Sequence, residues 1–256
     1  MKEKEKSEQI KDWNFDEFHI VTENYTDWDM YEKLKEVTNE NAVVLDLGTG
    51  GGEKVLAYFP DYAKEIIGID LSKAMIETAN ENLKKSGKKN ITFKHMNNLK
   101  LEFPDEYFDV VVARHTIINA KEILRVLKPG GHVIIRGVDK YDCYELKKIY
   151  GKGQALNDPT PVSIMDFDDL FDAGFSELEV VPLHQVEYYK DFELFYKFLL
   201  KVPILEDFSE DEENIEYYFI KELDKDLIKK YVERNTFEKG IKLVRRYYGI
   251  TCVKPS

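Results

Sequence analysis

The sequence predicts an α/β protein with a Rossmann-like, doubly wound sheet, and three observations support this prediction. Residues 43–45 form a short, β-branched apolar run of the kind found in a buried parallel strand. Four of the five residues at 48–52 are glycine, so the main chain can turn tightly there and approach a ligand. Residues 53–58 then have a helical pattern. A strand, a glycine turn and a helix in this order are typical of a Rossmann corner.

Strands and helices alternate along the first half of the chain. The predicted strand EIIGI, at residues 65–69, is followed by Asp70, about twenty residues beyond the glycine turn, where a Rossmann-like fold places a carboxylate. The alternative for Asp70 is a carboxylate that caps the helix starting near Ser72. The predicted segments are a helix at 29–38, strands at 43–45, 65–69 and 91–94, and helices at 53–58 and 72–85.

The second half continues this alternation and becomes richer in aromatic residues. Residues 110–113 predict a fourth strand, and the Lys-Pro-Gly-Gly run at 128–131 stops the helix that follows it. The predicted segments are strands at 110–113, 132–136, 178–188 and 245–253, helices at 121–127, 141–150 and 166–173, and a helical pair at 192–200 and 216–234.

Length and composition fit one globular domain. The chain has 256 residues, of which 43% are hydrophobic, and this is enough to bury a full core. We therefore expect residues 1–256 to form a single domain. The charged start, residues 1–11, predicts a frayed tail or an exposed helical turn, whereas residues 12–24 carry too many large apolar side chains, including Trp13 and Phe18, for a disordered tail. We expect an N-terminal helical cap at residues 1–40, with plain core packing of these side chains as the alternative.

Charge and cysteine content narrow the class of partner and the compartment. The net charge of −12 disfavours passive attraction to nucleic acid, although it leaves a local basic groove open. The N-terminal residues include no apolar segment, so we expect neither a signal peptide nor a membrane span. Cys143 and Cys252 are far apart and match no metal-binding spacing, so we expect free thiols in a cytoplasmic protein.

The glycine turn has a spacing that separates it from dinucleotide-binding turns. The pattern is D-x-G-x-G-x-G starting at Asp46, and the third glycine expected in G-x-G-x-x-G is replaced by Glu53. An acidic residue at the end of the strand would repel a pyrophosphate and suits a cationic ligand group better. The spacing therefore favours an NAD-dependent oxidoreductase less than any other function proposed below.

This turn resembles motif I of class I S-adenosylmethionine-dependent methyltransferases, and small bacterial enzymes of this family share the G-T-G-G-G-E sequence. The resemblance extends to Asp70 and to Leu-Lys-Pro-Gly-Gly at 127–131. It implies S-adenosylmethionine as cofactor and a seven-stranded sheet with an antiparallel last strand. It also implies a helical insertion before that strand, at residues 190–240, which in related enzymes forms a lid over the active site. An amphipathic packing element or an oligomer contact is an equal alternative for this segment.

The resemblance also implies which residues hold the cofactor. Asp70 would accept the ribose hydroxyls, and Asn97 stands where the family usually places an acidic residue against the adenine amino group. The carbonyl oxygen of Asn97 can still accept that hydrogen bond. Met75 would face either the adenine pocket or the core. The full set of expected cofactor-binding residues is Asp46, Gly48, Thr49, Gly50, Gly52, Asp70, Leu71, Met75, Asn97, Asn98, Leu99 and Arg114.

His115 is the candidate catalytic residue. It follows the fourth strand, where ligands of such sheets lie, and imidazole titrates near neutral pH, which suits deprotonation of a phenol, amine or thiol. The alternative is a hydrogen-bonded wall residue. Arg114 beside it suits the cofactor or a substrate carboxylate, with a structural salt bridge as the alternative.

Several chemistries can be set aside from the sequence. No N-P-P-Y or D-P-P-Y follows the fourth strand, neither cysteine lies at its end, and the histidines show no zinc-ligand spacing, so we expect no metal. We expect a small-molecule substrate and an O, N or S acceptor atom. One alternative is an RNA base methyltransferase, since residues 142–147 resemble those of ribosomal RNA guanine-N1 enzymes, although their four-cysteine zinc module is missing. A basic run, Lys84, Lys85, Lys88 and Lys89, would then be expected near the substrate. The other alternative is a non-catalytic cofactor-binding module. The oligomeric state cannot be predicted.

Overall fold

The computed structural model describes residues 15–18, 20–205 and 223–256. The acidic segment 206–213 and the predicted start of the charged helix at 216 lie outside the described residues, as does Trp13. The chain divides into two compact units. Their bounds are residues 1–25, 140–159 and 184–246 for the first unit, and residues 26–139, 160–183 and 247–256 for the second. The single domain, its cap and its lid stay predictions.

A mixed sheet forms the centre of the fold and confirms the predicted Rossmann-like α/β class. Over the described residues it has nine strands in the order β1-β7-β9-β6-β5-β2-β3-β4, with β8 paired to β9. The strands are β1 Val21–Asn24, β2 Val43–Leu47, β3 Glu65–Asp70, β4 Ile91–His95, β5 Phe108–Arg114, β6 Leu127–Val138, β7 Ser176–Tyr189, β8 Thr236–Phe237 and β9 Gly240–Val253.

Five of these strands are parallel, and the last strand runs against them. β2 pairs with β3 and with β5 in parallel, and β3–β4 and β5–β6 are parallel as well. β9 pairs with β6 in the antiparallel direction, as the resemblance implied. Two short strands raise the count from the predicted seven to nine. One of them, β1, lies within the segment expected to be a helical cap.

The second unit buries apolar side chains on both faces of its parallel strands. Successive residues of a strand point to opposite faces, so Val44 packs with α1 and α3 while Leu45 packs with α4 and α6. All five residues of β2 are buried, and four of the five are apolar, the exception being Asp46. The helices of this unit are α1 Met30–Val37, α2 Glu53–Tyr58, α3 Lys73–Ser86, α4 Ala120–Val126 and α6 Val162–Ala173.

The Leu-Lys-Pro-Gly-Gly run ends α4 and begins β6 earlier than predicted. Gly130 donates its N–H to the carbonyl of Lys254 at 2.8 Å, and the N–H of Lys254 donates to the carbonyl of Gly131 at 2.9 Å. A Cβ atom on Gly131 would lie 2.9 Å from the carbonyl oxygen of Lys128. This run is therefore an extended segment held against the C-terminal residues, and its second glycine is required by the close approach of main chain.

The first unit has its own aromatic core. Phe195 and Phe198 of α7 pack with Tyr189, Tyr231 and Ile228, and all five are buried. The helical pair predicted before the last strand is present as α7 and α8. The helices of this unit are α5 Tyr144–Tyr150, α7 Phe192–Lys201 and α8 Lys225–Asn235, with a 3-10 turn at Asp16–Phe18. None of the described helices is both long and apolar enough to cross a lipid bilayer.

A buried ion cluster also lies in the first unit. Arg245 donates from Nε to Asp142 at 2.9 Å and from Nη1 to Glu187 at 3.0 Å. The N–H of Arg246 donates to the same Asp142 carboxylate at 2.9 Å, and the Tyr189 hydroxyl donates to Glu187 at 2.8 Å. The three charged side chains of the cluster are each less than 9% exposed. In the described part of the chain, the Arg245 guanidinium thus forms ion pairs with both carboxylates.

Candidate active site

The glycine turn between β2 and α2 exposes main chain at the carboxyl end of the parallel strands. Gly48, Gly50 and Gly52 have φ values of +71°, +57° and +76°, a left-handed region that favours glycine. A Cβ atom on Gly48 would lie 2.7 Å from the Cβ atom of Thr116. Thr49 fastens the turn to β3 by donating its N–H to the carbonyl of Ile69 at 2.8 Å. The turn can thus bring N–H groups close to a ligand without interference from side chains.

Asp46 lies on β2 just before this turn, and its carboxyl group is buried. Burial raises the pKa of Asp46 from 3.8 to about 7, because a charged carboxylate is poorly solvated inside a protein, while nearby Arg114 lowers it. The group therefore stands between its neutral and ionised forms at neutral pH. A cationic ligand group beside it would favour the carboxylate.

Asp70 ends β3 and connects two turns. One carboxylate oxygen accepts the N–H of Gly50 at 2.9 Å, and the other accepts the N–H of Ser72 at 2.9 Å. Burial raises the pKa of Asp70, and these two backbone hydrogen bonds oppose the rise. Each carboxylate oxygen can accept a second hydrogen bond, so the side chain can hold the glycine turn and still bind a pair of hydroxyls. Leu71 follows, and its carbonyl oxygen lies 2.8 Å from His95 Nε2.

Asn97 and Asn98, in the loop after β4, differ in whether their side-chain oxygens accept a hydrogen bond. The side-chain oxygen of Asn97 already accepts the N–H of Leu99 at 2.8 Å. Asn98 donates from Nδ2 to the Thr116 hydroxyl at 2.8 Å, while its side-chain oxygen is buried with no hydrogen-bond partner in the described part of the chain. A buried acceptor without a partner is costly unless a ligand supplies a donor. The loop therefore has an open acceptor on Asn98, next to the predicted Asn97. Met75 on α3 is fully buried.

The ends of β5 and β6 bring two arginines and His115 together. Arg114 and Arg136 are register partners on these neighbouring strands. His115 follows with a φ of +53°, unusual for a residue with a side chain, and donates its N–H to the carbonyl of Arg136 at 2.8 Å. Its ring stacks on Tyr247 with centroids 5.1 Å apart, and the Arg136 guanidinium lies 4.0 Å from the centre of the same ring.

The contact between His115 and Arg136 fixes the tautomer of the imidazole. Nη1 of Arg136 lies against Nε2 of His115. Because a guanidinium has donors and no acceptor, Nε2 of His115 must be the accepting nitrogen. The proton of the neutral imidazole is then on Nδ1. A substrate proton would reach Nε2 only if the Arg136 side chain moved away.

Arg136 and Tyr247, which lie against His115, were not predicted as site residues. Neither was Tyr31, whose pKa is raised to about 12 by burial and is also affected by Arg114, Asp46 and Arg136. Tyr31 sits in the first turn of α1, where the side chain of Asp29 caps its N–H at 2.8 Å. The rule that found Arg114, the carboxyl end of a parallel strand, would also have found Arg136. Nothing in the pattern around Tyr247 separates it from neighbouring aromatic residues.

The predicted basic run lies near the amino ends of the parallel strands. Lys84 and Lys85 end α3, and Lys88 and Lys89 precede the first residue of β4. The candidate site occupies the opposite, carboxyl ends of these strands. Lys88 also forms an ion pair with Asp61 at 2.5 Å. Within the described residues there is no cluster of three or more histidine, cysteine or acidic side chains that would hold a metal ion.

Comparison with known proteins identifies the family. A sequence model described as a methyltransferase domain matches residues 38–179, which is more than half of the chain. The chain belongs to this methyltransferase-domain family. The matched region includes every predicted cofactor-binding residue, the Leu-Lys-Pro-Gly-Gly run and His115.

Similar proteins agree with this assignment. The chain is 32% identical to the uncharacterised methyltransferase YcgJ of Bacillus subtilis over 51% of this chain and 55% of YcgJ. It is 36% identical to the demethylmenaquinone methyltransferase of Lactococcus lactis over 40% of this chain and 44% of that enzyme. These matches therefore span about half the length of the curated relatives.

A solved structure shows the shared fold over most of the chain. The crystal structure of YcgJ superposes with a TM-score of 0.52 at 19% identity, covering 89% of this chain and 98% of YcgJ. At this level of identity the likeness concerns the fold, and the reaction has to be argued from the site.

Proposed function

We propose that the chain is an S-adenosylmethionine-dependent methyltransferase that acts on a small molecule. The observation that carries this proposal is the buried carboxyl of Asp46 beside an open glycine turn. S-adenosylmethionine has an ammonium and a sulfonium group and no phosphate, so a carboxylate at the end of β2 attracts it where it would repel a dinucleotide. Membership of the methyltransferase-domain family supports the same interpretation.

The residues present fit this cofactor. Asp46 suits the ammonium group, Arg114 on the neighbouring strand suits the carboxylate, and Asp70 suits the ribose hydroxyls. Asn98 has a buried oxygen that lacks a donor among the described residues, which suits the adenine amino group. The bound cofactor supplies an activated methyl group that transfers in line to a nucleophile. The chain contributes mainly alignment, since in-line displacement depends on how the reacting atoms are held.

Two observations favour a small acceptor over RNA. The basic run at Lys84–Lys89 lies near the amino ends of the strands, whereas the candidate site lies at their carboxyl ends. The net charge of the chain is −12, which disfavours binding to nucleic acid. The demethylmenaquinone methyltransferase of Lactococcus lactis, a relative over part of the chain, is also an enzyme of small-molecule metabolism by its name. We therefore assign the acceptor to small molecules.

A labelling experiment tests the reaction and the acceptor class together. The purified protein is given S-adenosylmethionine labelled on the methyl group and an extract of its own organism, then separated into RNA, protein and metabolite fractions. We expect label in the metabolite fraction, which mass spectrometry can resolve into a product. Label in RNA would contradict the small-molecule assignment, and cofactor binding with no label in any fraction would support a non-catalytic module.

Changing Asp70 to Asn is expected to weaken S-adenosylhomocysteine binding by about tenfold or more. The amide replaces a charged acceptor of the ribose hydroxyls, and hydrogen bonds to charged groups contribute about 1.5–3 kcal/mol. Isothermal titration calorimetry measures the change. Asp61→Asn on the exposed loop after α2 is the matched control and should bind normally. Unchanged affinity in Asp70→Asn would remove Asp70 from the cofactor site.

Changing His115 to Ala is expected to lower the methyl-transfer rate more than the cofactor affinity. The ring of His115 lies at the end of β5 beside Arg136, so its loss alters the acceptor side of the site. The ratio of the two effects is read from single-turnover rates and calorimetry on the same preparations. A general base contributes about 10²–10⁴-fold to a rate. A rate within about twofold of the parent would make His115 a wall residue.

A further inference from the structure

Asp139 directly follows β6, at the edge of the sheet where the carboxyl ends of the parallel strands form the candidate site. One oxygen of its carboxylate, Oδ2, accepts the Ser163 hydroxyl at 2.6 Å. The other oxygen, Oδ1, is buried and has no hydrogen-bond partner among the residues that the structure describes. A buried acceptor in this state costs free energy, and a ligand that brings a donor removes the cost.

The hydroxyl groups around Asp139 use their protons elsewhere. Ser163 and Asp166 are three residues apart on α6 and lie on one face of that helix. The Tyr248 ring covers Gly137, two residues before Asp139, and its hydroxyl donates to Asp166. Burial raises the pKa of Tyr248, and the carboxylates of Asp166 and Asp139 raise it further, so the phenol keeps its proton. A hydroxyl has one proton, so neither Ser163 nor Tyr248 has a second one for Oδ1.

The position of Asp139 along the sheet separates it from the expected cofactor contacts. Those contacts, at Asp46, Asp70 and Asn98, lie at the ends of β2, β3 and β4. Asp139 instead follows β6, and β5 lies between β6 and β2. Neighbouring strands are about 4.8 Å apart, so β6 is about 10 Å from β2. A cofactor that extends from β2 to β4 leaves the ends of β5 and β6 to the methyl acceptor.

His115, the other candidate for contact with the acceptor, offers no open acceptor atom. Its Nε2 lies against the Arg136 guanidinium, and Nδ1 then carries the proton of the neutral ring. Asp139 is therefore better suited than His115 to accept a hydrogen bond from a ligand at the ends of β5 and β6.

We propose that Asp139 binds a hydroxyl or amino group of the methyl acceptor and that Ser163 positions its carboxylate. Oδ1 of Asp139 accepts the hydrogen bond from the acceptor, while Ser163 holds Oδ2. This inference rests on the proposed function and deepens it, because it restricts the acceptor to molecules that carry a hydrogen-bond donor. The ammonium group of the cofactor is the alternative donor, and the experiment separates the two.

The experiment begins with calorimetric binding of S-adenosylhomocysteine to the full chain and to Asp139→Asn, Asp139→Ala and Ser163→Ala. Asp172→Asn, on the exposed side of α6, is the matched control. We expect all four variants to bind within about twofold of the parent. Failure of the parent to bind would refute the proposed function before any probe is added. A loss of about tenfold or more in Asp139→Asn, which keeps the size of the side chain, would overturn the inference, because Asp139 would then contact the cofactor.

The loaded proteins are then titrated with phenol, benzylamine and anisole, and binding is followed by NMR. Anisole is the methyl ether of phenol and has no proton to donate. We expect the parent to bind phenol or benzylamine at least about tenfold more tightly than anisole, as hydrogen bonds to charged groups predict. The probe that is preferred shows whether a hydroxyl or an amino group is bound.

The variants show whether this preference depends on Asp139. We expect Asp139→Ala to abolish it, Asp139→Asn to reduce it to about threefold or less, and Ser163→Ala to reduce it in part. Asp172→Asn should keep it. The proposal would be overturned if the loaded parent bound neither donor more tightly than anisole. The same holds if Asp139→Asn kept the full preference, which decides the matter even where Asp139→Ala fails to fold.

Discussion

Replacing Arg245 by Met is expected to lower the free energy of unfolding by about 3–5 kcal/mol. Breaking a buried ion pair by removing one partner costs this much, because the other charge remains buried without compensation. Here one guanidinium serves two carboxylates, Asp142 and Glu187, and all three side chains are less than 9% exposed. The loss of Arg245 therefore leaves two buried carboxylates without this positive partner.

Urea unfolding followed by circular dichroism measures this effect. Lys229→Met is the matched control, since Lys229 forms an exposed pair with Asp226 at 3.3 Å, and exposed pairs contribute about 0–1 kcal/mol. Adding Asp142→Asn and Glu187→Gln to Arg245→Met should recover part of the loss, because no buried charge then remains in the cluster. A loss below about 1 kcal/mol for Arg245→Met would show that solvent reaches the carboxylates.

The parallel strands could be predicted because burial on both faces leaves a clear record in the sequence. β2 is buried at every residue, and it begins with three apolar residues in a row. The sequences of β1 and β8 contain no such apolar pattern. Residues Val21–Asn24 and Thr236–Phe237 are mostly exposed and too short to show alternation, and β1 is formed by pairing with Gln185–Tyr188 of β7. Strands stabilised by backbone pairing alone are not visible in a hydrophobic pattern.

The candidate site was predictable where topology alone places a residue. Asp46, Asp70 and Arg114 lie at strand ends, and a parallel sheet brings such ends to one edge. The geometry of Arg136 depends instead on a stack with Tyr247, about 110 residues away in sequence, and on the left-handed backbone of His115. Local side-chain hydrogen bonds could not be predicted either. The side-chain oxygen of Asn97, for example, accepts a hydrogen bond from the N–H of Leu99.

Replacing Asp46 by Asn is expected to weaken S-adenosylmethionine binding by at least about thirtyfold and to stabilise the ligand-free protein at pH 8. Truncating one partner of a buried, hydrogen-bonded charge pair costs about 2–5 kcal/mol, and 1.4 kcal/mol is tenfold in affinity. The same carboxylate is unfavourable without a cationic ligand, because burial raises its pKa to about 7. Asparagine removes this charge and keeps the shape.

The sign of the stability effect follows from proton binding. Between about pH 4 and pH 7 the folded protein holds a proton on Asp46 that the unfolded chain releases, so the contribution of Asp46 to stability falls as pH rises through this window. Asp46→Asn lacks this loss, and Asp70, whose pKa is also raised, remains in both proteins as a common background.

Thermal unfolding of parent and variant at pH 5.5 and pH 8 checks this linkage. We expect the midpoint of Asp46→Asn to exceed that of the parent already at pH 5.5, because the unfolded parent chain has released the Asp46 proton there, and to exceed it further at pH 8. The gain at pH 8 is bounded by about 4 kcal/mol, because a tenfold change in a proton-binding constant corresponds to about 1.4 kcal/mol. The parent should also bind S-adenosylmethionine more tightly as pH rises towards 7, because binding requires the ionised carboxyl. A variant that keeps its cofactor affinity, or that is less stable than the parent at pH 8, would show that Asp46 is a structural carboxylate. A variant that loses affinity while gaining stability would show that this residue is retained for the ligand at a cost to the fold.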